Sequence, residues 1–172
     1  HEWALTNNTK VVGLTVDHCL RPESSDEANL VHQWLEERGI EHHILIWRHS
    51  AITTSLQQKA RTARYALLSN WCFLNGVKSF MTAHHLQDQW ETFLMRLSKG
   101  SGLTGLCCMK AESNFKGLRL IRPLLSIKAE RLKETLKRFN QPFVEDSSNE
   151  RLEYARIRLR KLQHVFSREG LT

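Results

Sequence analysis

Several kinds of segment are absent from this 172-residue sequence. No window approaches the roughly 18 consecutive apolar residues that a membrane-spanning helix needs, so the sequence predicts no contact with a membrane. The opening stretch, HEWALTNNTK, contains no apolar core of the kind found in secretory signals. There are neither internal repeats nor low-complexity linkers. The length suits a single domain, or one domain with a short extension. With no membrane span or secretory signal in the sequence, a cytoplasmic protein is expected.

Paired cysteine motifs are also missing. The four cysteines are Cys19, Cys72, Cys107 and Cys108, and none forms a C-x-x-C pair. A zinc ribbon or a thioredoxin-type motif is therefore disfavoured, and reduced thiols are expected. The glycine-rich GSGLTGL stretch has no Gly-Lys-Ser/Thr after it, so it is not a P-loop. It reads instead as a helix stop followed by a loop.

Positive charge is abundant. The formal net charge is +7 and the isoelectric point is about 9.5, with most of the excess from Lys110 onward. A basic chain attracts polyanions and speeds their encounter, which makes nucleic acid a candidate partner. Charge alone does not establish that partner.

Strand and helix patterns alternate along the first two thirds of the chain. This order predicts βαβ units and an α/β fold, a Rossmann-like, doubly wound and mostly parallel sheet. Ser24 or Ser25 is expected to cap the first full helix, which Gly39 ends, and Gly76 ends the second. The predicted strands are KVVGLTVDH, EHHILIWRH and VKSFMTAHH, and the predicted helices are SSDEANLVHQWLEERG, SLQQKARTARYALLSNWCFLNG and LQDQWETFLMRLSKG.

The remaining third predicts a short strand and two helices. LRLIRPLL reads as a strand, SIKAERLKETLKRFN as an amphipathic helix capped by Ser126, and RLEYARIRLRKLQHVF as a basic terminal helix. The expected organisation is a core over residues 1–125 and a helical extension of the same domain over 126–172. HEWALTNNTK looks like the end of a helix, so we expect the first strand of the fold to lie outside this sequence.

Polar residues follow each of the three predicted strands. They are Asp17-His18, Arg48-His49 and His84-His85. Ligands of parallel α/β sheets bind beyond the carboxyl ends of the strands. A site is therefore predicted at this edge.

The third of these ends carries the densest set of reactive side chains. Asp88 and Glu91 are three residues apart on the helix that follows His84 and His85, and therefore share a face. Such carboxylates can hold Mg²⁺ or an ammonium group, and a neighbouring imidazole can bind an anion or move a proton. The alternative is that the acids only stabilise the helix N-terminus.

Two groups of arginines can likewise be interpreted either as binding residues or as solvated side chains. Arg61 and Arg64 lie on one helix face and could clamp phosphates, or simply be solvated. Arg156, Arg158 and Arg160 alternate along the terminal helix and point in different directions, which suits a solvated or RNA-facing surface.

Taken together, six ordered motifs resemble those of the tRNA(Ile)-lysidine synthase family. They run from about Val11 to Arg160: VDHCLRPES, ARTARY, TAHHLQDQWET, RLSKGSGLTGL, RPLL, and DSSN followed by ARIRLR. Any one is weak, but six in this order are specific. The resemblance implies an ATP pyrophosphatase of the adenine nucleotide alpha hydrolase-like type. ATP is then a substrate, and Mg²⁺ assists the step that uses ATP.

The resemblance also implies a reaction. ATP adenylates the wobble cytidine of tRNA(Ile) with a CAU anticodon, and free L-lysine then displaces AMP to form lysidine. The anticodon then reads AUA instead of AUG. A homodimer is left open as the assembly.

Residue roles are carried over from the matching motifs. Asp88 and Glu91 resemble the carboxylates that hold the lysine substrate, and Asp88 resembles a base for its amine. Arg156 resembles a basic residue near the lysine carboxylate or the tRNA.

The nucleotide side is carried over in the same way. His84 resembles the catalytic histidine near the reacting phosphate, and Arg64 an arginine that contacts the nucleotide. Asp17 and His18 resemble the strand end beneath the adenosine. No residue is assigned as a metal ligand.

The sequence departs from the family pattern in two places. Gln87 stands where the family usually has an acid, and the family's Ser-Gly-Gly-x-Asp-Ser phosphate loop is not found. We therefore expect the chain as given to bind ATP poorly. Two alternatives stay open: a catalytically inactive RNA-binding remnant, and another ATP pyrophosphatase such as a tRNA thiolase. The thiolase is disfavoured by the lack of a C-x-x-C pair.

Overall fold

The computed structural model describes residues 1–52, 54–144, 158–159, 163–168 and 170. The chain divides into two compact units, a first unit His1–Lys78 and a second unit Ser79–Thr172. Each unit contains its own small sheet. The domain boundary predicted between residues 125 and 126 stays a prediction.

The first unit is built around two parallel strands. Their register runs from Gly13 opposite His42 to Asp17 opposite Ile46. A parallel pair needs a crossover connection, which a helix supplies here. The predicted helix end, both strands and both helices are confirmed: α1 Glu2–Thr6, β1 Gly13–Asp17, α2 Ser24–Glu36, β2 His42–Ile46 and α3 Leu56–Leu74.

The second unit contains a three-stranded sheet of order β3-β5-β4. β3 is parallel to β5, and β4 is antiparallel to it. Two of the three pairings in the described sheets are therefore parallel, which agrees with the predicted α/β class. The elements are β3 Ser79–Met81, α4 Leu86–Leu97, α5 Leu103–Leu106, β4 Glu112–Phe115, β5 Leu118–Ile121, α6 Ala129–Arg138 and α7 Gln163–Arg168.

Alternation along β5 shows how its sequence forms a half-buried strand. Leu118 and Leu120 are buried, whereas Arg119 is exposed and forms an ion pair with Glu112 on the neighbouring strand. Arg122 continues the buried side, and its Nη1 donates to the backbone oxygen of Lys110. The apolar side chains of one face therefore form the core of this unit, as a period of two requires.

Several predicted element ends are wrong. α2 starts after Glu23, so neither Ser24 nor Ser25 is its N-cap, and Lys128 rather than Ser126 is the N-cap of α6. β3 ends at Met81, before the histidine pair, and the GSGLTGL stretch contains the short helix α5. The glycine stops after α2 and α3 are confirmed.

Sequence patterns missed β4. It has only four residues, ESNF, and three of them are polar, so they give no strand signal. The strand exists because β5 pairs with it across a tight turn at Lys116 and Gly117, which have φ angles of 52° and 85°. Two successive positive φ angles are typical of a hairpin turn whose twist matches the strands.

The basic C-terminal segment is only partly described. Residues 158–159 are helical, and α7 follows them. The DSSN motif lies outside the described ranges. Among the residues that the structure covers, no helix has the length and apolar character required to cross a bilayer.

Candidate functional site

Asp17, the last residue of β1, is buried among hydrogen-bond donors. Its Oδ1 accepts from the Cys19 backbone N–H at 2.9 Å and from the Ser24 hydroxyl at 2.7 Å. Its Oδ2 accepts from the Ser25 hydroxyl at 2.7 Å. The carboxylate therefore fixes the turn from β1 into α2, and the two serines bond to Asp17 instead of capping the helix.

These bonds also set the charge state of Asp17. Burial by itself would raise its pKa, but the hydrogen bonds from Ser25, Cys19 and Ser24 stabilise the anion and hold the pKa below its ordinary value. Asp17 is thus a stable anion at the end of the strand. Its predicted contact with a nucleotide stays a prediction.

His18 and Arg64, both predicted on the nucleotide side, are hydrogen-bonded to each other. Arg64 Nη2 lies 2.9 Å and its Nε 3.2 Å from His18 Nε2. A guanidinium can only donate, so His18 Nε2 is the acceptor and the neutral ring carries its proton on Nδ1. That Nδ1 is buried and has no hydrogen-bond partner in the described part of the chain.

The environment of His18 keeps its imidazole neutral. Burial, followed by the charge of Arg64, lowers its pKa from 6.5 to about 4. As the pH falls, His18 is therefore protonated at a higher pH in the unfolded chain than in the folded chain. The contribution of neutral His18 to stability is complete above pH 6.5 and is lost progressively as the pH falls towards 4.

We expect Arg64→Gln to raise the pKa of His18 from about 4 without restoring its ordinary value, because burial remains. An NMR titration of the His18 ring measures the midpoint. Arg61→Gln is the matched control, since Arg61 lies over the ring of Tyr65 on the same helix, 5.0 Å from its centroid. An unchanged midpoint in Arg64→Gln would show that the arginine charge is not a cause.

The end of β2 brings two more rings beside His18. Trp47 meets the His18 ring edge-on at 5.9 Å, and the rings of Trp47 and His49 are 4.2 Å apart. The ring nitrogens of His49 lie 2.9 Å from the backbone oxygens of Ser50 and His18, and these acceptors raise its pKa. The predicted meeting of the first two strand ends is therefore confirmed.

In the second unit, α4 begins directly after the histidine pair. Oδ2 of Asp88 accepts the backbone N–H of His85 at 2.9 Å and lies 3.6 Å from His85 Nδ1. The Nδ1 atom of His84 lies 2.8 Å from the Thr82 hydroxyl. A carboxylate at the third helical position that bonds back to the N-cap stabilises the helix start. One oxygen of Asp88 therefore has this structural role.

Glu91 is the more deeply placed of the two predicted lysine-binding carboxylates. It is 4% exposed, whereas the side chain of Asp88 is 23% exposed. Residues three apart lie on one helix face. The pair gives α4 a partly shielded anionic face, where a charge is screened less than in water. Arg156, the third predicted lysine contact, lies outside the described residues.

Gln87, which replaces the family acid, links α4 to α6. Its Oε1 accepts the backbone N–H of Ala129 at 2.9 Å, and its Nε2 donates to Glu130 at 3.0 Å. The amide thus caps the N-terminus of α6 from a position 42 residues earlier in the chain. An aspartate at position 87 would be shorter and would have no N–H to donate to Glu130. The glutamine of this sequence is therefore explained by its two bonds to α6.

We expect Gln87→Asp to lower the free energy of unfolding by about 1 kcal/mol, because a cap and a hydrogen bond are lost together. Urea unfolding measures the change. Gln57→Asp is the matched control, since Gln57 is also the second residue of an exposed helix start, in α3. Equal losses in the two variants would assign the effect to helix propensity.

Two further side chains of α4 hold the loop after α5, and the sequence patterns did not single them out. Gln89 pairs with the backbone of Met109, donating at 2.7 Å and accepting at 2.9 Å. Arg96 donates to the backbone oxygens of Gly105 and Cys108. The available sequence signal for these contacts was that both residues are polar and lie on a helix followed by a glycine-rich stretch.

The donor set for a metal ion is sparse. The described ranges contain no group of three or more His, Cys, Asp or Glu side chains that could hold a metal ion. Mg²⁺ often takes one or two carboxylates and completes its shell with water and substrate phosphates. No residue is therefore assigned to Mg²⁺, which stays a prediction.

A family model matches most of this chain. The model described as the PP-loop domain matches residues 1–166. The tRNA(Ile)-lysidine synthase of Wolbachia sp. subsp. Brugia malayi (strain TRS) is 43% identical over 152 residues, which is 88% of this chain and 35% of that protein. That of Methylobacterium sp. (strain 4-46) is 42% identical over 169 residues, 98% of this chain and 49% of that protein. This chain thus spans less than half of either relative.

A solved structure shares the fold. The U34-tRNA thiolase NcsA from Methanococcus maripaludis, with its 4Fe-4S cluster, superposes with a TM-score of 0.79. The match covers 98% of this chain and 61% of that chain at 14% identity, so it shows the fold alone. It confirms the predicted Rossmann-like class. Together with the family model, it leads to the conclusion that this chain belongs to the PP-loop domain family.

Proposed function

We propose that this chain is the ATP-using part of a tRNA(Ile)-lysidine synthase, a ligase that joins L-lysine to the wobble cytidine of tRNA(Ile) with a CAU anticodon. The observation that carries the proposal is identity of 40–43% to relatives of that name across 88–98% of this chain. The basic net charge of +7 suits an RNA substrate.

The reaction has two steps. The C2 carbonyl oxygen of the cytidine attacks the α-phosphorus of ATP, a new O–P bond forms, and pyrophosphate leaves. The ε-amine of lysine, once deprotonated, attacks C2, and AMP leaves with the electrons of the C2–O bond. The product is lysidine, which changes codon reading from AUG to AUA.

The first unit offers groups suited to the nucleotide. Arg64 supplies a fixed cation, and its exposed guanidinium is oriented by neutral His18. Asp17 keeps the turn beneath these residues rigid through three hydrogen bonds. A preorganised cation loses little entropy when it contacts a phosphate.

The second unit offers groups suited to lysine. Asp88 is the partly exposed carboxylate of α4, with Glu91 buried one helical turn later, and it keeps one oxygen beyond its helix-capping bond. An incoming lysine must lose a proton before it attacks, and a carboxylate within reach can accept it. His84, two residues after Thr82, is placed in the turn that precedes this face.

The test is incorporation of labelled lysine into tRNA(Ile) by the complete gene product with ATP and Mg²⁺. A transcript with uridine in place of the wobble cytidine is the control substrate. Lysine should enter the cytidine transcript alone, with pyrophosphate released. Absence of transfer under conditions where the Wolbachia relative is active would overturn the proposal.

A further inference from the structure

A cavity of about 550 Å³ lies in the second unit between α4, α5 and the start of α6. We call it the Trp90 cavity. Its aromatic wall is Trp90 and Phe93, whose rings are stacked with centroids 5.8 Å apart and planes 13° apart. Cys107 and Cys108 also line the cavity. The volume falls in the range of about 300–1,000 Å³ that small ligands occupy.

The Trp90 cavity is separate from the candidate lysine face. Trp90 and Phe93 are offset by about half a helical turn from Asp88 and Glu91, so they lie on another face of α4. Leu97 extends the same apolar face and is 51% exposed. The rings of Trp90 and Phe166 of α7 make an edge-to-face contact with centroids 5.9 Å apart, which helps to hold the indole in place.

Two cations and one carboxylate lie in or beside the cavity. Lys128 lines it, and Arg96 holds the loop of Cys108 through backbone carbonyl oxygens. Neither cation has a carboxylate partner among the residues that the structure describes. The one lining carboxylate, Glu130, accepts a hydrogen bond from Gln87. An anionic ligand with a flat ring matches this combination.

We propose that the Trp90 cavity holds one unpaired nucleotide of the substrate RNA, with its base against Trp90 and Phe93 and its phosphate beside Lys128. Proteins recognise unpaired bases by stacking them on aromatic side chains and binding the backbone with cations. The identity of the RNA rests on the proposed function. Lys128 and Arg96 outnumber Glu130 in and beside the cavity, so the net charge there favours RNA over an apolar peptide.

The chain carries its own probes for this cavity. Cys107 is exposed and Cys108 half-buried in the lining, while Cys19 is exposed in the first unit and Cys72 is buried. Alkylation by iodoacetamide, followed by peptide mass spectrometry, reports each thiol. An RNA stem-loop with the CAU anticodon should slow alkylation of Cys107 and Cys108 by about tenfold and leave Cys19 unchanged. Inorganic polyphosphate, a polyanion without bases, should protect neither.

Variants test the same contact through the affinity of the protein for the RNA stem-loop. Trp90→Leu should weaken stem-loop binding by on the order of tenfold, as loss of one stacked base does. Trp3→Leu is the matched control, since Trp3 is 66% exposed in the first unit.

Lys128→Gln should weaken binding and reduce the slope of log K against log salt by about one. Lys128 is exposed, so this variant tests the cavity even if Trp90→Leu fails to fold.

The outcomes separate the inference from the proposed function. Protection by the stem-loop but not by polyphosphate supports the inference, whether or not lysine is transferred. Equal protection by both polyanions would overturn it, as would an apolar peptide that protects where RNA does not. Lysine transfer with both cavity cysteines fully reactive in the RNA complex would overturn the inference and leave the function standing.

Discussion

In the complete gene product, Asp88→Asn should reduce lysine transfer by about 10²–10⁴-fold, the usual contribution of a general base, while pyrophosphate release changes little. The asparagine carbonyl oxygen can still accept the backbone N–H of His85, a bond of 2.9 Å in the structure. The helix start is therefore kept while the charge is lost. This separates the chemical role of Asp88 from its structural one.

Single-turnover assays with labelled lysine and labelled ATP measure the two steps separately. Asp26→Asn is the matched control, since Asp26 is the third residue of α2 as Asp88 is of α4. It should leave both steps unchanged. Equal loss of pyrophosphate release and lysine transfer in Asp88→Asn would show that the residue does not act at the lysine step.

Asp17→Ala should lower the free energy of unfolding by about 1–3 kcal/mol, because it removes a buried carboxylate that accepts three hydrogen bonds at the end of β1. The donors are the Cys19 N–H and the hydroxyls of Ser24 and Ser25. Urea unfolding measures the loss. Asp17→Asn keeps one acceptor oxygen and should lose clearly less. A small loss in Asp17→Ala would show that the turn has other means of support.

The pH dependence of stability gives this prediction a second measurement. The pKa of Asp17 is lowered in the folded chain, so its contribution to stability is complete above its ordinary value of 3.8 and is lost as the pH falls through the lower folded value. The stability difference between the wild type and Asp17→Asn should therefore shrink below about pH 4. A difference that stays constant down to pH 2 would contradict the assignment.

Local patterns predicted much of the α4 region. The helix, its polar start and the spacing of Asp88 and Glu91 follow from periodicity and from the charge preference of helix N-termini. The partner of Gln87 was not predictable in this way, because Ala129 is 42 residues away and the bond depends on tertiary structure. A motif shows which side chains are near one another in sequence but not which distant backbone groups they meet.

The strand ends show the same limit. The buried strand before Asp17 was predicted by its β-branched residues, and its polar tip by the switch in composition. The serines after it fit two roles equally well, since Ser is favoured both as a helix cap and as a donor to a nearby carboxylate. The structure assigns the second role because α2 already begins at Ser24, which brings both hydroxyls to Asp17.

The proposed lysine face and the proposed nucleotide cavity lie on different faces of the same helix, α4. α4 carries Asp88 and Glu91 on one face and Trp90 and Phe93 on another, and Gln89 and Arg96 tie the neighbouring loop to it. If lysine and RNA favour different positions of α4 from the free protein, the two binding events are coupled. The factor by which lysine changes the affinity for RNA then equals the factor by which RNA changes the affinity for lysine. Measuring both factors would show whether α4 couples the binding of RNA to the binding of lysine.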